Sequence, residues 1–96
     1  MTVSQKLNHL NENNYDDDIT VTDVPKGQFI AVTSVTLPDG SATREITVTL
    51  MPMPIADGGT KTTNSGLWVK QDSETAVKVT VVNTDGQEQC TNTTNY

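Results

Sequence analysis

Seventeen threonines and eleven valines among 96 residues, joined by four isoleucines, constrain this chain more than any other feature. Two heavy atoms on Cβ restrict χ1 against the preceding turn of a helix, whereas the pleated surface of a sheet accommodates them. Leucine and alanine, the strongest apolar helix formers, total only nine. The chain is therefore expected to be all-β. Its length allows one small single domain, read as an antiparallel sandwich or barrel of about six strands.

The alternation of apolar and polar residues places those strands. Ile19-Thr20-Val21-Thr22 has period two, and Pro25-Lys26-Gly27 supplies a turn. Gln28 to Leu37 carries Phe29, Ile30, Val32, Val35 and Leu37 on both faces, the pattern of a central strand covered on two sides. Pro38-Asp39-Gly40-Ser41 is the clearest turn signal, with proline to preset φ and glycine for a positive one. Beyond it Ile46, Val48 and Leu50 alternate with Glu45, Thr47 and Thr49, which predicts a hairpin across the turn. Met51-Pro52-Met53-Pro54 ends that strand, since proline donates nothing to a ladder. Ala56 to Gly66 reads as a flexible loop, Leu67 to Lys70 as a short strand, and Asp72-Ser73-Glu74 as a turn. Val77, Val79 and Val81 then share one face. Asp85-Gly86 turns the chain again before an edge strand over Gln87 to Thr91 and a polar tail. Ile-Thr-Val-Thr occurs twice, at Ile19 and Ile46, too short a fragment to establish a repeat.

The first eighteen residues differ in character. Val3, Leu7 and Leu10 lie at i, i+4 and i+7 with Ser4 as an N-cap, while Asn8, Asn11, Asn13 and Asn14 compete for the backbone. The division expected is an extended or short-helical N-terminal arm over 1–18, ordered on a partner, and a β domain over 19–96. Deleting Met1 to Asp17 is then expected to leave the β domain folded. Asp16, Asp17 and Asp18 read as a solvated acidic hinge between the two parts.

Charge and chemistry exclude several classes of function. Twelve acidic and six basic side chains give a net charge of −6, with pI near 4.4. So few, scattered cations make a poor nucleic-acid ligand, because counterion release needs clustered ones. No apolar run reaches the roughly 18 residues of a membrane span, and no signal peptide is expected. His9 is the only histidine and Cys90 the only cysteine. That excludes an intrachain disulfide and a closed zinc site, and Cys90 is expected to be a reduced spectator thiol. The acidic triplet lacks the loop of a calcium-binding hand. With no positioned base, metal cage or phosphate loop, no catalytic, metal or cofactor-binding residue is assigned, and the chain is not expected to be an enzyme. The pairs Thr20/Thr22 and Thr47/Thr49 are too few for the flat array of an ice-binding face, and the sequon at Asn92 is expected to be idle.

Contact residues are the more productive search. Leu7 and Leu10 in the arm, Thr47 and Thr49 on an outer face, and Met51 and Met53 in the proline bend are candidates for meeting a partner. Trp68 is a further candidate, as an interface anchor or as the anchor of the core. The folded surface expected for this mass is roughly 5,400 Å². With one third of the residues apolar, oligomerisation or docking on a larger body would add the burial that the chain itself lacks.

In general character the whole chain resembles the small structural proteins of tailed-phage virions, above all capsid decoration (cement) proteins. The likeness lies in Thr/Val/Asp/Gly-rich strands, proline-punctuated turns, an N-terminal arm, a single cysteine and an acidic balance. No motif carries it, so no residue role is transferred. It implies a β-rich viral protein, homo-oligomeric and commonly trimeric, that binds the major capsid protein or another virion protein near three-fold positions. Its place would be the bacteriophage virion, assembled in the host cytoplasm; tail, fibre and head–tail junction proteins share much of this character. The alternative is a small β-sandwich binding module that recognises a carbohydrate or protein through the Ala56 to Gly66 loop and Trp68.

Overall fold

The computed structural model describes residues 1–96 and contains no helix. Eight strands form it: β1 (Thr2–Asn11), β2 (Asn14–Val24), β3 (Gln28–Thr36), β4 (Thr43–Pro52), β5 (Gly59–Asn64), β6 (Trp68–Val69), β7 (Ala76–Val82) and β8 (Glu88–Asn95). They make two four-stranded sheets packed as a sandwich. One has the order β1-β2-β5, with β6 continuing the pairing to β2 beyond the end of β5; the other has the order β3-β4-β7-β8. Every pair is antiparallel except β4 with β7, which run parallel.

Alternation decides which residues face inward. Ile19 and Val21 of β2, Ile46, Val48 and Leu50 of β4, and Val77, Val79 and Val81 of β7 are all buried, joined by Val3, Val24 and Trp68. The two Ile-Thr-Val-Thr fragments thus serve the same purpose in opposite sheets, each delivering an isoleucine and a valine to the core. At the predicted hairpin the Ser41 amide donates to the Pro38 carbonyl at 2.9 Å, and Gly40 takes a φ of 75°. The strands either side pair as expected. The solvent-accessible surface is 5437 Å², as the scaling for this mass requires.

Several expectations are corrected. There is no N-terminal helix and no separate arm: β1 pairs with β2 along its length, and Val3 reaches the core. The acidic triplet lies inside β2 and is not a hinge. Six strands become eight because two segments read otherwise are ladders: the presumed arm is β1, and the supposed loop at 56–66 contains β5. The edge strand expected over 87–91 is β8, which runs on through the polar tail to Asn95. Gln28–Thr36 is an edge strand, paired only to β4. Its two-faced apolar pattern has a local cause, a bulge between Val32 and Ser34. The bulge inserts one extra residue, so Ile30, Val32 and Val35 can all face the core. Phe29 and Ala31 lie on the other face, opposite Met51 and Thr49.

Candidate interaction surfaces

Both tyrosines, the tryptophan and the histidine converge on one end of the sandwich. Register brings three of them together, because His9 of β1 lies opposite Tyr15 of β2, and Tyr15 lies opposite Trp68 of β6. The His9 and Tyr15 rings stack at 4.5 Å with only 4° between their planes, and Trp68 lies beyond Tyr15 at 6.5 Å. The Arg44 guanidinium covers Trp68 at 5.4 Å from the ring centroid. Tyr96 meets Tyr15 edge-on at 5.2 Å and carries the Lys70 ammonium over its own face at 4.8 Å. Trp68, 7% exposed, is therefore a core anchor capped by a cation.

Beneath this stack lies a buried ion pair. Arg44 Nε and Nη2 each donate to the Glu74 carboxylate at 2.9 Å, and Nη2 also donates to the Val69 carbonyl at 3.2 Å. The Tyr96 hydroxyl donates to Glu74 Oε2 at 2.7 Å, and the Gln71 amide to Oε1 at 3.3 Å. Burial pushes the Glu74 carboxyl up, but hydrogen bonds from Arg44, Tyr96 and Gln71, with the Arg44 charge, outweigh it and hold the group below its usual range. Burial and the bond to Glu74 push the Tyr96 phenol well up. Arg44 holds the β6 backbone of one sheet from the other, so the pair is a clamp between sheets. Nothing in the sequence pattern marked it, since an arginine opening an alternating strand reads as an end residue.

Asp17 is the other buried charge, fully enclosed between Tyr15 and Ile19 on the inner face of β2 and opposite Leu7. Its backbone is well bonded, donating to Ser65 Oγ and accepting from the Ser65 amide, both at 2.9 Å. Neither carboxylate oxygen has a hydrogen-bond partner. Burial first, then the charges of Asp18 and Asp16, raise its pKa to about 7. A group raised in the folded state contributes stability that is complete below the unfolded value of 3.8 and is lost as pH rises through about 7. Asp17→Asn, which cannot ionise, should therefore stabilise the protein at pH 8 and do little at pH 4. Such a shift is worth up to ~4 kcal/mol, and relaxation of nearby water leaves about 2 kcal/mol as the expected gain. Urea denaturation at both pH values measures it; equal gains at the two would show that ionisation is not the cause.

Asp16 and Asp18 point the opposite way, onto the outer face. Asn8 Nδ2 donates to both at 2.8 Å, and Asn64 Nδ2 donates to Asp18 at 2.8 Å. These side-chain bonds lower the Asp18 pKa. Strand alternation thus divides the triplet between two faces, so its carboxylates do not converge. Cys90 is half-buried on the inner side opposite Val81, and burial pushes its thiol up.

The contact candidates fall in different places. Leu7 packs partly buried against the core, and Leu10 is 52% exposed near the tip of the β1–β2 hairpin. Thr47, Thr49 and Met51 lie on the outer face of β4, Met51 opposite Phe29, and Met53 is exposed in the turn beyond. Hydroxyl side chains continue across that sheet. Ser34, Thr47, Thr80 and Thr91 are in register on four successive strands, and the Thr33 and Thr49 hydroxyls lie 2.9 Å apart. Thr47 is legible from its own strand, but the row is not, because cross-strand rows depend on pairing that no single segment reveals. Comparison of the chain with protein-family models, with curated proteins and with solved structures returns no match.

Proposed function

We propose that this protein is a structural module, not an enzyme, that docks through the outer face of the β3-β4-β7-β8 sheet onto a larger protein assembly. The partner in this proposal is the major capsid protein or another virion protein, and the role is that of a phage-head decoration protein. One observation carries the docking face: the uninterrupted hydroxyl row Ser34–Thr47–Thr80–Thr91 across all four strands. Such a surface forms many short hydrogen bonds and packs closely without the penalty of desolvating ions. The row Thr36–Glu45–Lys78–Thr93 beside it carries one charge of each sign, and the Phe29–Met51 pair supplies an apolar margin. The virion context rests on the compositional resemblance. The glycan-binding alternative is less well supported, because sugar stacking needs an open ring face. Here Tyr15 lies between His9 and Trp68, Arg44 covers Trp68, and Lys70 covers Tyr96.

Co-sedimentation with heads assembled from the major capsid protein of the same genome tests this function. The wild-type chain should pellet with the heads. Thr47→Lys should bind at least ~10-fold more weakly while keeping the wild-type circular dichroism spectrum and melting temperature, since a lysine there can extend into solvent. Undiminished binding by the variant would exclude the threonine face. Failure of the wild-type chain to bind the heads would overturn the capsid role itself.

A further inference from the structure

The two ends of the molecule are unlike, and each carries a feature that the docking face does not use. At one end, after β4, the chain makes a turn whose tip exposes Pro54 and Ile55, with Ile55 89% accessible. An apolar side chain so exposed would be unremarkable on a loose loop, but this turn is pinned. The Met53 amide donates to the Gly27 carbonyl at 3.0 Å, the Gly27 amide to the Ala56 carbonyl at 2.8 Å, and the Ala56 amide to the Met53 carbonyl at 2.9 Å. The returning limb is wedged as well, since a Cβ at Gly58 would stand 2.6 Å from the Val24 carbonyl oxygen and 2.9 Å from the Lys26 amide nitrogen. The Met53-Pro54-Ile55 tip is thus an apolar knob held in one shape, which lowers the entropy lost when it is ordered against a partner. The backbone of Pro54 and Ile55 makes no hydrogen bond within the chain.

At the other end, before β4, lies a cavity of about 300 Å³. It is formed by the β3–β4 hairpin loop from Leu37 to Ala42 together with Gln71 and Ser73. Leu37, Pro38 and Ala42 provide apolar wall, while the side chains of Gln71 and Ser73 are able to bond a docked backbone; the Ser41 hydroxyl is already bonded to Thr43. The volume is at the small end of the range of ligand pockets, suited to one or two side chains. β4 separates knob from cavity by roughly 33 Å, ten residues at about 3.3 Å each, in a molecule 42 Å long. The knob end carries both signs, with Lys26 beside the anchoring turn and Asp57 just after it; Asp39 lies in the cavity wall, so Lys26 is the knob-side group that can pair across the contact.

We propose that copies of this chain associate head to tail, the Met53-Pro54-Ile55 knob of one seated in the Leu37–Ala42 cavity of the next. The occupant is a second copy because one chain presents both halves of the contact, on ends that cannot meet within a single molecule. Such an interface is heterologous, so the rotation per step decides between a closed ring and an open filament. It leaves the threonine face free and does not depend on what that face binds.

Sedimentation velocity over a concentration series of the full-length protein tests the proposal. The wild-type mass should rise with concentration. Ile55→Asp, which destroys the knob, and Ala42→Trp, which fills the cavity, should each weaken association by about 30-fold or more. Each retains the complementary half of the contact, so an equimolar mixture of the two should form a dimer and nothing larger. Thr47→Lys should self-associate like wild type. Circular dichroism must show both variants folded; if Ala42→Trp is not, Ser73→Trp fills the same cavity from the opposite loop. A wild-type chain that stays monomeric to millimolar concentration would overturn the proposal. So would a cavity-filled variant that associates normally, the result expected of a symmetric knob-to-knob dimer, or a mixture that remains monomeric.

Discussion

Deleting residues 1–17 should abolish folding, with loss of the β-type circular dichroism spectrum and of any cooperative melting transition. This reverses what composition alone suggests, and the reason is where β1 sits. Its inner face contributes Val3 to the core, worth about 1.5–3 kcal/mol of burial, and packs the partly buried Leu7 against it for less. The ladder to β2 runs from Thr2 to Asn11, and its bonds add about 0.5–1.5 kcal/mol apiece.

The strand also closes one side of the sandwich. Gln5 Nε2 reaches across to donate to the Val77 carbonyl at 2.8 Å and to the Asn92 carbonyl at 3.2 Å, joining β1 to β7 and β8 of the opposite sheet. The same deletion removes Tyr15 from beside Trp68 and leaves Ile19 and Val21 on an unprotected edge. Those losses together exceed the roughly 5–15 kcal/mol that holds a domain folded. A synthetic peptide spanning residues 1–17, added in trans, should restore the spectrum by supplying the missing strand. A truncated chain that melts like the full-length protein would show that β1 is dispensable.

Much of the fold could be read in the sequence, and the misreadings share a physical origin. β4 and β7 were legible because their inner positions are aliphatic and their outer ones polar, so period two stands out. β1 has the same period, but its inner residues are Val3, Gln5, Leu7 and His9. A spacing of four between Val3 and Leu7 suits a strand as well as a helix, and Leu10 tipped the pattern towards the helix. In β2 the alternation extends back from Val21 through Ile19 and Asp17 to Tyr15. The acidic triplet conceals it, since one carboxyl of three occupies a core position. β5 and the last residues of β8 have too few apolar residues to show any period, and they form because neighbouring strands offer a ladder. The candidate surfaces follow the same division: an exposed residue such as Thr47 is legible from its own strand, whereas the hydroxyl row, the aromatic end and the cavity exist only once the chain has paired.

The Arg44–Glu74 clamp gives the second large expected effect. Glu74→Ala should destabilise the protein by about 3–5 kcal/mol, because it leaves the Arg44 guanidinium buried without its counter-charge. For a domain of this size such a loss lowers the melting temperature by at least ~12 °C. The Tyr96 hydroxyl loses its acceptor in the same step, so the C-terminal residue should loosen from Tyr15 and Lys70. Trp68, the only tryptophan, reports the change through its fluorescence, since Arg44 covers its ring. The double variant Arg44→Met with Glu74→Leu should lose far less than Glu74→Ala alone, because no orphaned charge remains. Acid should act on the clamp in the opposite sense to its action on Asp17. The Glu74 pKa is lowered from 4.5, so its contribution is present above that value and is lost as the pH falls below it. The wild-type stability profile should therefore be highest on the mildly acidic side, between the range where Glu74 protonates and the range where Asp17 ionises. Removing Glu74 should flatten its acid limb. A Glu74→Ala protein as stable as wild type, with an unchanged acid limb, would show that the two sheets do not depend on the clamp.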